Sequence, residues 1–295
     1  MSIPSLTIED IQEIIPTAEK VETPIPGGQK QVFPVLIAGT CYIIKFIRVN
    51  SQDVIPEPDG NILVERRLQR EVEILKKCDS PYLVKLGPIA ITYINFKNQH
   101  LFYYSEEIIN GNDLKTLLFH NYKFSFTEII KLALDINNAI KELWKYQYIH
   151  RDIKPENIIY DKVNNKFVLI DPGVAFDLNG DSFTNPGLAV GTLIFLSPDQ
   201  LNYHGRRNLD FRSDHFALGV VLYLLITGKH PFIPNDCCSQ EIISNILNLK
   251  PIAPIDLISD MPPLLNTLIL RLLSKQPHLR FRTCDILENE LKKLV

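Results

Sequence analysis

YIHRDIKPENIIYD, residues 148–161, crowds His150, Arg151, Asp152, Lys154, Glu156 and Asn157 into one short run bounded by apolar stretches. Charged and amide groups flanked in this way must be paired or functional, because burying them bare is costly. Upstream, FTEIIKLALDINNAIKELWKYQY places Ile129, Ile130, Ile136, Ile140 and Leu143 on one face of a helix. Downstream, NIIYD and KFVLID flank a VNN turn, which predicts a hairpin from Asn157 to Asp171. The polar run is therefore a loop between a helix and a hairpin.

Composition sets the scale. The chain has 295 residues, 45% of them apolar, enough for a large core in one two-lobed domain or in two ordinary domains. Net charge is −3, without a run of like charges, so neither a nucleic-acid nor a membrane-surface footprint is expected. Cys41, Cys78, Cys237, Cys238 and Cys284 are scattered, odd in number and without CxxC spacing, which fits reduced thiols in a cytoplasmic protein. The N-terminus carries acids early and lacks a signal-peptide pattern. The longest apolar run, Phe216 to Ile226, is too short for a membrane span and reads as a buried helix.

The first third reads as strands around one helix. QVFPVL and CYIIKFIRV form a hairpin about an AGT turn at Ala38 to Thr40, and Asp53 to Gly60 is a loop. Leu63 to Lys77 has helical spacing, and HLFYYSEEII is a further strand before an NGND turn. From Leu114 onward the pattern is mostly helical. One small β-rich lobe and one larger helical lobe is the simplest architecture, with no internal repeat.

HRDIKPEN resembles the catalytic loop of protein kinases, and the string is too long to arise readily by chance. The resemblance implies an α+β bilobal fold: a single domain over 1–295, with the N-terminal extension and small lobe in 1–108 and the helical lobe in 109–295. It implies transfer of the γ-phosphate of ATP, with Mg²⁺, to serine or threonine hydroxyls of a protein substrate. Asp152 is then the residue that aims the hydroxyl and accepts its proton, and Lys154 neutralises the moving phosphate. Asn157 and Asp171 offer the oxygen ligands that Mg²⁺ prefers.

The N-terminal lobe fits the same family. YIIK ends on Lys45, where kinases carry the lysine that holds the α and β phosphates. REVEILKKC places Glu71 on the apolar face of its helix, where a carboxylate wants a cation, and pairing with Lys45 is expected. Val32 stands at an adenine-contacting position. IPGGQKQV keeps only Gly27 and Gly28 of the glycine-rich loop. Lys30 replaces a glycine and is placed either over the phosphates or in solvent. Either Glu106 or Glu107 begins the hinge.

Later motifs agree. GTLIFLSPD resembles the end of an activation segment, with Asp199 expected to pair with Arg280. Asp214 is expected to bond the catalytic-loop backbone, and His150 to join a column of side chains beneath the helix of Glu71. Arg151 raises phosphorylation on the activation segment as a means of ordering it, with Ser182 and Thr184 as candidate sites or ordinary loop hydroxyls. Thr192 is expected against Asp152 and Lys154. A transient homodimer would serve autophosphorylation.

Two departures stand out. The glycine loop is degenerate, and LIDPGV, residues 169–174, carries Pro172 where the family has phenylalanine. Proline biases its predecessor, Asp171, toward extended conformations. The alternative reading is a pseudokinase that binds nucleotide or acts as a scaffold. A small-molecule phosphotransferase is disfavoured by Lys154, the SPD segment and Arg280. Residues Met1 to Thr23 are either a docking helix or a cap on the small lobe.

Overall fold

The computed structural model describes residues 5–25, 30–49, 55–56, 62–63, 66–172, 193–202, 209–234 and 239–295; at 55–56, 62–63, 66–71 and 239–240 it describes the backbone alone. Contacts divide the chain into two compact units, Met1–Lys77 with Val84–Ile109, and Cys78–Leu83 with Asn110–Val295.

The first unit is built on a five-stranded antiparallel sheet in the order β1-β2-β3-β7-β6. Its strands are β1 (Ala18–Val21), β2 (Lys30–Ile37), β3 (Thr40–Val49), β6 (Thr92–Phe96) and β7 (Gln99–Glu107). A separate two-stranded pair, β4 (Ile55–Pro56) and β5 (Ile62–Leu63), precedes the helix α2 (Arg66–Lys77). The β2–β3 hairpin turns at Ala38 and Gly39, both at positive φ, as the AGT reading requires. The strand β6 was not expected from sequence.

Strand alternation gives the sheet two chemically different faces. Phe33, Val35, Ile44, Phe46, Leu101 and Tyr103 share one buried cluster, with Phe46 stacked on Tyr103 at 5.2 Å. Over that cluster lies α1 (Ile8–Ile14), which contributes Ile11 at 0% exposure and is flanked by buried Leu6 and Ile15. Each such aliphatic supplies about 1.5–3 kcal/mol on burial, enough to hold a two-turn helix that would not persist alone. Thr7 and Asp10 form a capping box at its start. Asp10 is also 2.5 Å from Lys97, and the ammonium holds its carboxyl below the usual range. The N-terminal segment is thus a cap on the sheet of its own unit.

The second unit is mostly helical: α3 (Leu114–Phe119), α4 (Phe126–Lys145), α5 (Pro198–Leu201), α6 (Arg212–Thr227), α7 (Ser239–Asn248), α8 (Pro263–Leu272) and α9 (Cys284–Lys292). The expected face of α4 is buried at Ile129, Ile130, Ile136, Ile140 and Leu143. The run from Phe216 lies in α6, which is nearly all buried and packs against α4 and α8. Gly219 permits that approach, since a Cβ there would lie 2.8 Å from Leu272 Cβ.

A three-stranded sheet, β10 (Lys166–Leu169), β9 (Ile158–Asp161) and β8 (Asn112–Asp113), completes this unit. Its β9–β10 hairpin is the one the sequence predicts. Tyr82 accepts the Leu169 N–H at 2.9 Å, which ties the short 78–83 segment to these strands. No described helix is long and apolar enough to cross a membrane. Among the described residues Cys41, Cys78 and Cys284 form no disulfide with one another, and Cys237 and Cys238 lie outside the described residues.

Candidate active site

In the helical unit the loop between α4 and β9 is anchored from below by one buried carboxylate. Asp214, in the first turn of α6 and 1% exposed, accepts the backbone N–H of His150 through Oδ2 and that of Arg151 through Oδ1, each at 2.8 Å. Burial pushes its carboxyl up to about 7, against the pull of those two donors and of the Arg151 charge. The anchor holds Arg151 at φ 67°, a conformation that costs a non-glycine residue energy. Gln200 supplies a second hold, donating to the Arg151 carbonyl at 3.2 Å. Its side-chain oxygen meanwhile accepts the Ser197 N–H in the capping box of α5. Sequence reading missed Gln200, although the Ser-Pro-Asp-Gln spacing of a capping box was its visible signal.

With the backbone so fixed, three polar side chains converge. Lys154 Nζ lies 2.8 Å from Asp152 Oδ2, and Asn157 Nδ2 donates to the same oxygen at 2.9 Å and to the Asp152 carbonyl at 2.8 Å. Asp152 and Lys154 remain partly accessible, with side chains 24% and 16% exposed. Asn157 ends a single 3-10 turn, Pro155–Asn157, that leads directly into β9. Because its amide nitrogen is engaged by Asp152, the oxygen is the end of the group presented elsewhere.

The hairpin brings the second acid to this cluster. Ile170 donates its N–H to the Asn157 carbonyl at 2.9 Å, so Asp171 follows immediately beside the Asn157 backbone. The buried imidazole of His150 lies 3.1 Å from the Ile170 carbonyl, and burial pushes its pKa below the usual value. Asp171 has φ 53°, so the expected extended backbone before Pro172 is not what forms. The strand must turn sharply at its end, and aspartate is among the residues that tolerate the left-handed region. Pro172 itself is buried.

A further network closes under α5 and α6. Arg280, 1% exposed, donates through Nη2 to Asp199 at 2.7 Å, through Nη1 to Arg212 O at 2.8 Å and through Nε to Ser274 O at 2.8 Å. Ser213 donates to the other Asp199 oxygen. The expected pairing of Asp199 with Arg280 is therefore made.

In the sheet unit, Val32, Lys45 and Tyr104 stand opposite one another across β2, β3 and β7. Lys45, 4% exposed, forms an ion pair of 2.6 Å with Glu106. Glu106 and Glu107 both belong to β7, and their side chains part. Glu106 is buried at Lys45, whereas Glu107 accepts the Lys85 N–H at 2.9 Å. Glu71 lies in α2, but its side chain is outside the described residues, as are Gly27, Gly28, Ser182, Thr184 and Thr192.

A cavity of about 500 Å³ in the helical unit, lined by Tyr82, Asn138, Lys141 and Trp144 among others, includes none of the candidate site residues.

Residues 28–291 match the family model described as protein kinase domain. A probable serine/threonine-protein kinase of Clostridium acetobutylicum is 32% identical over 64% of this chain and 28% of its own length. The serine/threonine-protein kinase PrkC of Bacillus subtilis is 28% identical over 77% of this chain and 33% of its own. PknB of Mycolicibacterium smegmatis is 30% identical over 66% and 30%, respectively. The chain thus spans a third or less of the length of these curated relatives.

Proposed function

The chain belongs to the protein kinase domain family, and on that premise we propose that it transfers the γ-phosphate of ATP to serine or threonine hydroxyls of a protein. The observation that carries this reading is the convergence of Lys154 and Asn157 on one oxygen of a partly exposed Asp152. A carboxylate so held can present its second oxygen to a substrate hydroxyl, which it orients and relieves of its proton. Lys154 then offers its ammonium to the charge that moves across.

The donor set suits Mg²⁺. The Asn157 oxygen and the Asp171 carboxylate are hard ligands, and Mg²⁺ is commonly held by one or two protein oxygens with phosphate and water. Mg²⁺ supplies neutralisation of phosphate charge when bound. The family resemblance gives Lys45 the α and β phosphates and Val32 the base, with Gly27, Gly28 and Glu71 in the roles it assigns to them.

The names of the relatives support a serine/threonine substrate, as does Lys154. A cytoplasmic setting rests on the thiol usage, a transient homodimer on the candidate phosphosites Ser182 and Thr184, and contact of Thr192 with Asp152 on its place beside Gly191.

The test is transfer from radiolabelled ATP to the chain itself and to a generic protein, comparing wild type with Asp152→Ala. Label above the variant is expected. Equal labelling would favour the pseudokinase reading.

A further inference from the structure

Lys45 and Glu106 are both withdrawn from solvent, with side chains 5% and 3% exposed, and their charged atoms are 2.6 Å apart. The register explains the meeting. Lys45 stands opposite Tyr104 and Ile43 opposite Glu106, so lysine and glutamate are diagonal neighbours on one face of β3 and β7. Glu106 is held on both sides, by the β3 ladder and by a bridge to Leu86. The acid that meets Lys45 here therefore comes from a strand fixed in the middle of a sheet.

We propose that Glu106 is a positioning residue for Lys45, fixing its ammonium on the sheet so that its remaining N–H donors are already oriented for phosphate oxygens. The inference rests on the nucleotide binding proposed above. An ammonium has three donors, and one spent on Glu106 leaves two for other acceptors, the Glu71 carboxylate among them. A long flexible stem held before the ligand arrives does not have to be ordered on binding, and affinity gains accordingly. The opposite effect is also physically available, since a carboxylate can compete with phosphate for the lysine. The sign of the change on removing it decides between the two.

The experiment is a double-mutant cycle read by direct ATP titration, independent of transfer, on wild type, Glu106→Gln, Lys45→Met and the double variant. Glu106→Gln is expected to weaken ATP binding about tenfold when Lys45 is present and to change it less than about twofold in Lys45→Met. In the nucleotide-free chain, acetylation of Lys45 followed by peptide mass spectrometry should quicken about tenfold in Glu106→Gln, because a buried ammonium that loses the adjacent Glu106 charge surrenders its proton more readily. Glu106→Asp, which keeps the charge but withdraws it, serves the same cycle if the glutamine variant does not fold. Equal losses in both lysine backgrounds, tighter binding, or unchanged acetylation would overturn the inference. A wild type that binds no ATP overturns the proposed function and this inference with it; binding with additive variants overturns this inference alone.

Discussion

Asp214 Oδ1 accepts the Arg151 N–H at 2.8 Å, and Arg151 is the residue just before Asp152 whose backbone sits at φ 67°. The strained residue and its anchor belong together, because the left-handed conformation persists only where its surroundings over-determine it. Asp214→Ala leaves two buried backbone donors without acceptors, at a cost of about 2–4 kcal/mol. It should also release the aim of Asp152, lowering transfer by about a hundredfold or more. Urea unfolding and phosphate incorporation measured on the same preparation check both. Full activity at reduced stability would show that the anchor does not set the catalytic geometry.

Arg280 is argued the same way from the opposite charge. Its guanidinium serves Asp199, Arg212 O, Ser274 O and, at 3.1 Å, Lys275 O from one rigid plane. A lysine has no fork to reach four acceptors. Arg280→Lys should therefore cost about 3 kcal/mol, close to the price of breaking a buried ion pair outright. A loss below about 1 kcal/mol, the value of an exposed pair, would contradict it.

The cap on the sheet makes a third case. Ile11 is fully buried in the cluster with Phe33, Phe46 and Leu101. Ile11→Ala should cost about 2–4 kcal/mol by emptying a site that the two-turn helix cannot refill. Thr7→Ala, which removes the side chain accepting the Asp10 N–H, should cost about 1 kcal/mol. Thermal unfolding of both variants measures them, and an unchanged melting point for Ile11→Ala would place the helix outside the folded core.

What the sequence disclosed, and what it hid, follows from where each signal resides. The catalytic loop was legible because its residues are contiguous and their types are dictated by chemistry. The α4 face and the β9–β10 hairpin were legible through periodicity. By contrast, α1 is too short to show a helical period, and its stability comes from Phe33, Phe46 and Tyr103, residues distant in the chain. The pairing of Lys45 with Glu106 depends on the β3–β7 register, which no local pattern encodes. The backbone of Asp171 went against the preference imposed by Pro172 because the end of a strand, bonded through Ile170 to Asn157, had to turn.

Pro172 bears on that turn. It is buried, and Asp171 before it already holds φ 53°. The proposed transfer assigns no step to a side chain at this position, so Pro172→Phe should leave the rate within about a factor of ten of wild type. A loss of more than about a hundredfold would mean that the proline is part of a distinct active geometry.

Acid should weaken the helical unit through two buried histidines. His215 Nε2 lies 2.9 Å from Asn137 Oδ1, and burial, with the Arg280 and Arg212 charges, lowers its pKa to about 3. His230 lies 2.9 Å from the Ile194 carbonyl, and burial lowers it to about 4 despite that acceptor. Unfolded, each would bind a proton below its ordinary value of 6.5. Their stabilisation is therefore fully present above that pH and is lost as pH falls toward the folded values, by up to about 1.4 kcal/mol per pH unit for each histidine. Asp214 acts in the other direction. With its folded pKa raised to about 7 from 3.8, it binds a proton in the folded chain that the unfolded chain releases, and so loses stability as pH rises across that interval. One histidine's slope is thus offset by Asp214, while His150, also lowered by burial, adds to the acid sensitivity below pH 6.5 and Asp135, raised by burial, subtracts from it, so that His215 should contribute up to one proton taken up on unfolding between about pH 6.5 and 4. His215→Gln, which can keep a bond to Asn137 but cannot titrate, should remove that contribution. Urea midpoints collected across this range for both chains measure the slope, and an unaltered slope in the variant would show that His215 is already protonated in the folded protein.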